Sequence, residues 1–247
     1  TKTYKVYQGE YLQTAFDEAE QTGTTENPAT VKIMRDMEVT GIPNEYGDVE
    51  QDLLMDAGVI ILDLNGHTLT GKTGHATIDI DNGAKLTIDD SSESKSGKIQ
   101  NLLNEAINVD NGSTLVVNNG TFEGKCAVSS YDSPTIIING GTFQATQNAI
   151  KAQTGNLTIT SGTFEGEALA LSLSSTANVS IVGGCFTGGQ YDIYTGSKTE
   201  FLSFNDDGVG PSFPGGLSIK NDKVNSLLVE GAGYYVGEEL QTLDANA

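Results

Sequence analysis

Leu115-Val116-Val117-Asn118-Asn119-Gly120-Thr121-Phe122 is followed by Ile136-Ile137-Ile138-Asn139-Gly140-Gly141-Thr142-Phe143. Two further copies are Leu157-Thr158-Ile159-Thr160-Ser161-Gly162-Thr163-Phe164 and Val179-Ser180-Ile181-Val182-Gly183-Gly184-Cys185-Phe186. The phenylalanines recur at spacings of 21, 21 and 22 residues. A fixed period of this length marks a solenoid, in which each repeat is one structural unit. Upstream, Leu62-Asp63-Leu64-Asn65-Gly66-His67-Thr68-Leu69 is an earlier copy. Another starts at Leu86-Thr87-Ile88-Asp89 and reaches the phenylalanine-equivalent position at Ile99.

A second apolar pattern follows each copy: Ile78/Ile80, Ile107/Val109, Val128/Ser130, Ile150/Ala152, Leu171/Leu173 and Ile193/Thr195. Its first members are separated by 29, 21, 22, 21 and 22 residues. Alternation with polar residues predicts half-buried strands, one face in and one face out. Each coil then holds three short strands: Leu-x-Ile, Thr-Phe and Ile-x-Val. No helix fits between coils and no hairpin signal recurs within them, so equivalent strands of successive coils must pair in parallel. One coil cannot bury its apolar face alone, whereas a stack buries a continuous core. The crossover rule makes the winding right-handed. The expected fold is all-β, a single-stranded right-handed parallel β-helix with coils of about 21 residues.

The phrases Leu62-Asp63-Leu64-Asn65-Gly66-His67-Thr68-Leu69 and Asn139-Gly140-Gly141-Thr142-Phe143 resemble the pectin-lyase-like β-helix repeats of bacterial surface and secreted proteins. The resemblance covers roughly residues 30 to 200. It implies the fold, and it implies an extracellular or cell-surface bacterial location. On activity it is divided, because that family mixes polysaccharide-cleaving enzymes with adhesin-like surface modules. In the pectin-degrading members the sheet that corresponds to Ile-x-Val carries the active site. Asn108-Val109-Asp110 is similar to their Asn-x-Asp element. The Asp-Asp, Gly-His and Arg-x-Lys elements that should accompany it do not follow in order on that sheet.

Solenoid ends expose strand edges that must be covered. Leu12, Ala15, Phe16 and Ala19 fall on one face of a short helix, predicted to cap the first coil ahead of strands at 31–34 and 37–40. The chain is read as one β-helix domain over 1–247. Residues 1–57 form the N-terminal cap and first strands, 58–200 the regular coils, and 201–247 irregular last coils with a C-terminal cap. Continuations at Phe201–Phe204, Leu217–Ile219 and Leu227–Val229 would lead to a closing segment, Gly231–Leu240. The extra eight residues of the long coil fall in Asp89–Ser96 and predict a protruding solvent loop, an insertion of low entropic cost.

The chain carries 33 acidic and 13 basic residues, a formal net charge of −20. That field repels nucleic acid and anionic membranes, which need clustered Lys and Arg. Arg35 is the sole arginine, so bidentate grip on phosphate or uronate carboxylates is nearly unavailable. No apolar run approaches the roughly 20 residues that span a bilayer. No signal peptide is visible, and a chain opening Thr1-Lys2-Thr3 fits a trimmed mature form. Two cysteines are too few for a disulfide framework. With three coils of about 4.8 Å between them, Cys126 and Cys185 are expected to be free.

On the Ile-x-Val sheet, outward residues form two columns. One runs Asp79, Asn108, Ser129, Lys151, Ser172, Tyr194, and the other Asp81, Asp110, Tyr131, Gln153, Ser174. Asp79, Asp81 and Asp110 would lie close together, where mutual repulsion raises the proton affinity of one carboxyl or invites a shared cation such as Ca²⁺. Paired carboxylates also suit glycoside hydrolysis. Against both stand the Asp81-Asn82-Gly83 and Asp110-Asn111-Gly112 turn sequences, in which Asp serves local hydrogen bonds. Tyr131, Tyr191 and Tyr194 are candidate platforms for a glycan, with Lys151 and Asn108 beside them. His67 and His75 read as surface residues without a nucleophile partner. Asn65, Asn118 and Asn139, with Asp89 in register, read as a structural polar column, as does Thr68-Thr121-Thr142-Thr163. The leading expectation is a non-catalytic secreted or cell-surface module that contacts a glycan or a host-surface partner. Enzymes on neutral glycans and a structural spacer are the alternatives.

Overall fold

The computed structural model describes residues 1–39, 41, 46, 52–195, 210–216, 218–220, 233–236 and 239–242. The described chain forms a right-handed parallel solenoid with coils of about 22 residues. The buried members of the strands are mostly aliphatic or aromatic. In Lys85–Asp89, for example, Leu86 and Ile88 are buried between half-exposed neighbours.

The Leu-x-Ile sheet opens with Thr3–Val6 paired to Ala29–Ile33 and continues through Val59–Asp63, Lys85–Asp89, Thr114–Val117 and Thr135–Ile138. The Thr-Phe sheet keeps the phenylalanines in strict register, Phe122 beside Phe143, Phe143 beside Phe164, and Phe164 beside Phe186. Ring centroids lie 4.9, 4.9 and 4.7 Å apart with planes within 13° of parallel. Phe213 adds a fifth ring, 5.4 Å from Phe186 and tilted by 26°. It lies beyond the regular period, and the sequence pattern did not place it.

Helix Leu12–Glu20 buries Leu12, Phe16 and Ala19 at the N-terminal end, as its apolar stripe requires. The first strands run Ala29–Ile33 and Met37–Val39. At the other end, Ile219–Lys220 joins the Ile-x-Val sheet. Gly233–Val236 and Glu239–Thr242 pair antiparallel, a hairpin where a closing segment was expected. Phe201–Phe204, Leu217 and Leu227–Val229 lie outside the described residues.

The long coil departs from its expected form. Asp90 does not protrude. It is completely buried, and its carboxylate accepts the backbone N–H of Gly66 at 2.8 Å, Ser92 at 3.0 Å and Gly97 at 2.6 Å. Burial works against the ionised form, but these bonds outweigh it and hold the carboxyl below its ordinary range. The insertion is therefore folded onto the bend chiefly by Asp90, with Asp63 accepting the Ser91 N–H at 2.9 Å, while the side chains of Ser91 and residues 93–96 are left exposed.

The polar column at the bend is also shifted. Asp63, not Asn65, pairs with Asp89, and Asp63 takes an ion pair from Lys32 at 2.9 Å. Asn65 instead donates to the carbonyl of Ile33. The later rung forms as expected, with Asn139 donating to Asn118 at 3.0 Å, and Thr160 adds a further rung by donating to Asn139 at 3.3 Å. Cys126 and Cys185 are free thiols. Among the described residues no helix is long and apolar enough to cross a membrane.

Candidate functional site

The outward face of the Ile-x-Val sheet is built by alternation. Ile78 and Ile80 face in and Asp79 out; Ile107 and Val109 face in and Asn108 out. Parallel pairing then sets Asp79 beside Asn108, Asn108 beside Ser129, and Ser129 beside Lys151. It continues with Ser172 and Tyr194, and Tyr194 is in backbone register with Lys220. The first column is thus assembled as its spacing predicts.

Neighbouring rungs are bonded to one another. Asn108 donates its amide to Asp79 Oδ1 at 2.8 Å, and Ser129 Oγ donates to Asn108 Oδ1 at 3.0 Å. Lys151 Nζ reaches across to the second column and donates to the Tyr131 hydroxyl at 3.0 Å. That bond is the largest cause holding the Lys151 ammonium above its ordinary range. Tyr194 is 41% exposed, the most open aromatic on this sheet face among the described residues.

The second column is less regular. Asp81 and Asp110 each turn back onto their own turn, accepting the N–H of Asn82 at 2.7 Å and of Asn111 at 2.9 Å. Asn82 and Asn111 adopt left-handed backbone at φ 54° and 44°, the conformation that makes the Asp-Asn-Gly turns. Asp81 also accepts from the Asn111 side chain at 2.6 Å. Beyond Gln153 the column loses register, because the pairing with the next strand slips between Ala152 and Thr154, which face Leu173 and Thr176. The three carboxylates are therefore directed to separate donors. Among the described residues no group of three or more His, Cys, Asp and Glu side chains stands where it could hold a metal ion.

Asp79 is nevertheless perturbed. Burial pushes its carboxyl up to about 6, and the charges of Asp110, Asp81 and Glu105 add to that while the Asn108 bond opposes it. It lines a small pocket of about 200 Å³ with His75, Asn104, Glu105, Asn108, Ser129 and Tyr131. His75 is exposed, as its sequence reading has it, and lines the pocket from its loop, whereas Glu105 escaped the sequence reading. Glu105 stands two residues ahead of Ile107, where the chain is still bending and the alternation has not begun. Its only sequence signal is its place in register with the loop that carries His75 and Ala76, since Thr77 N–H bonds the Glu105 carbonyl. His67 is half-buried rather than free on the surface, its Nδ1 3.4 Å from Asp36 Oδ1. Tyr191 is half-buried in register with Leu169.

Chemically, this face offers a line of amide, hydroxyl and ammonium groups at one-coil spacing, bordered by two phenol rings. It also offers one carboxyl pushed up to about 6, with the Glu105 carboxylate lining the same pocket. No family model matches the sequence, and neither a curated protein nor a solved structure matches it.

Proposed function

We propose that the outward face of the Ile-x-Val sheet is a contact surface for a neutral glycan on a secreted or cell-surface module that does not cleave it. The observation that carries this reading is the unbroken column Asn108, Ser129, Lys151, Ser172, Tyr194, with Tyr131 bound to Lys151 beside it. Hydroxyl-rich chains are met by such groups, and phenol rings supply an apolar face with a polar tip. Acidic polymers are disfavoured by a net charge of −20 and by Asp79, Asp81 and Asp110 along the same face. The associated pocket, about 200 Å³, is small beside the 300–1,000 Å³ range of clefts that enclose a ligand.

Affinity electrophoresis through gels that contain neutral polysaccharides tests the reading. Wild-type protein should be retarded by at least one neutral glycan. Tyr131→Ala and Tyr194→Ala should each weaken retention by about threefold to tenfold, the worth of one aromatic contact. Equal retention of both variants and wild type would sink it.

A second reading rests on Asp79. A carboxyl titrating at about 6 beside Glu105 is a candidate general acid for glycoside hydrolysis. Release of reducing sugar from a neutral glycan, lost in Asp79→Asn, would favour this enzyme reading over the contact surface.

A further inference from the structure

Leu102 and Leu103 stand 75% and 66% exposed in the segment between strands Lys98–Asn101 and Ile107–Val109. Single exposed leucines are ordinary. These two are held outward by a specific device. Asn101 is completely buried, and its Oδ1 accepts the N–H of Leu103 at 3.0 Å and of Asn104 at 3.1 Å. Its amide is anchored below on the carbonyl of His75 at 2.5 Å, and Asn104 is tied to the carbonyl of Gly74 at 2.7 Å. A buried polar side chain thus sets the conformation of the loop that presents both leucines.

Leu102 is also one wall of a groove of about 490 Å³. The floor is the small-residue step that ends each Thr-Phe strand, Gly124, Ala145 and Gly166 in register. The outer side carries Glu123, Glu165 and Glu167. Lys98 pairs with Glu123 at 2.6 Å, while Glu165 accepts only from the neutral Gln144 amide among the described bonds, so the groove stays acidic. Stacked coils are about 4.8 Å apart, so a groove that crosses successive coils suits a chain laid along the solenoid axis.

We infer that this groove docks an extended cationic segment of a partner protein. Its apolar side chains rest on Leu102 and the small-residue floor, and its lysines or arginines face Glu165 and Glu167. A second copy of this chain is a poor occupant, because two bodies of net charge −20 repel. A glycan is a poor occupant as well, because no aromatic ring is among the lining residues. The groove lies off the Ile-x-Val face, so the inference is independent of the proposed glycan contact.

The test is fluorescence anisotropy with a labelled peptide of alternating lysine and leucine, at about 0.15 M salt to suppress diffuse attraction. Alternating lysine and serine is the charge-matched control. The lysine-leucine peptide should bind more tightly than the control. Both Leu102→Ser and Glu165→Gln/Glu167→Gln should weaken it by about tenfold or more. Tyr131→Ala should leave it unchanged, which separates this site from the glycan face. Hydrogen exchange on the wild-type chain gives a reading that does not depend on variant folding. Bound peptide should slow exchange at 102–104 and 165–167. The inference is overturned if the two peptides bind alike, if both groove variants match wild type, if a neutral oligosaccharide displaces the peptide, or if protection falls elsewhere.

Discussion

Replacing Phe143 by alanine empties the middle of the aromatic spine. The ring is completely buried, 4.9 Å from Phe122 on one side and 4.9 Å from Phe164 on the other. Truncating a buried phenylalanine costs about 3–5 kcal/mol, with the larger values where the surroundings cannot collapse into the cavity. Here collapse is resisted by the ladder around the stack, in which Thr142 N–H bonds Gly120 O at 2.9 Å and Thr163 N–H bonds Gly141 O at 2.9 Å. Gly141 has φ 102°, and a Cβ there would lie 3.4 Å from the Phe122 ring and 3.5 Å from that of Phe143, so the backbone already wraps the rings closely. Two stacked neighbours, each worth about 0.5–1.5 kcal/mol beyond burial, place the expected loss in the upper half of that range. Phe186 is equally buried, but one neighbour, Phe213, is farther away and tilted, at 5.4 Å and 26°. Its replacement should cost no more than that of Phe143. Urea unfolding followed by far-ultraviolet circular dichroism measures both, with the slope checked for unchanged cooperativity. A Phe143→Ala protein within about 0.5 kcal/mol of wild type would refute the inward stack, since such a value belongs to surface positions.

Asp79 gives a pH test. Its carboxyl moves from 3.8 to about 6 on folding, so the folded chain holds that proton more tightly than the unfolded one. The stability it contributes is greatest below about 3.9, is lost as pH rises to about 6, and is flat above that, a swing of up to about 3 kcal/mol. Asp79→Asn should therefore be more stable than wild type at pH 8 and lose that advantage at pH 4; urea midpoints at the two pH values decide, and equal differences would contradict the burial argument. Asp90→Ala strands the N–H groups of Gly66, Ser92 and Gly97 and should cost about 3 kcal/mol or more, with faster amide exchange at those residues. Normal protection there would mean that the insertion is not held by Asp90. Two thiols per chain should titrate in denaturant without reductant, and none should be lost to a disulfide in monomeric protein.

The spine and the first column were legible because both obey a fixed period and a fixed alternation. Phe122, Phe143, Phe164 and Phe186 announce themselves by spacing, and so do Asp79, Asn108 and Lys151 by their apolar flanks. Phe213 was not legible, because the intervening residues break the period. Asp90 was misread because a run of Ser and Glu looks like a solvated loop, and no local pattern shows that buried carboxylates tie it down. Asp63 displaced Asn65 from the polar column because the register is set by the strand Val59–Asp63, not by the turn that follows it. The same limit hid Glu105, which sits on a bend where periodicity says nothing about direction. The acidic trio was placed correctly in register, but its carboxylates answer to the nearest backbone and amide donors, which the column pattern alone does not reveal.

A crystal soaked with neutral oligosaccharides in the presence of Ca²⁺ tests the functional account most directly, because it reads position rather than affinity. Sugar density should lie on the outward Ile-x-Val face, against the Tyr131 and Tyr194 rings and within hydrogen-bond reach of Lys151 and Asn108. A sugar seated on any other face would contradict the account. So would a cation held among Asp79, Asp81 and Asp110 with the tyrosine face bare.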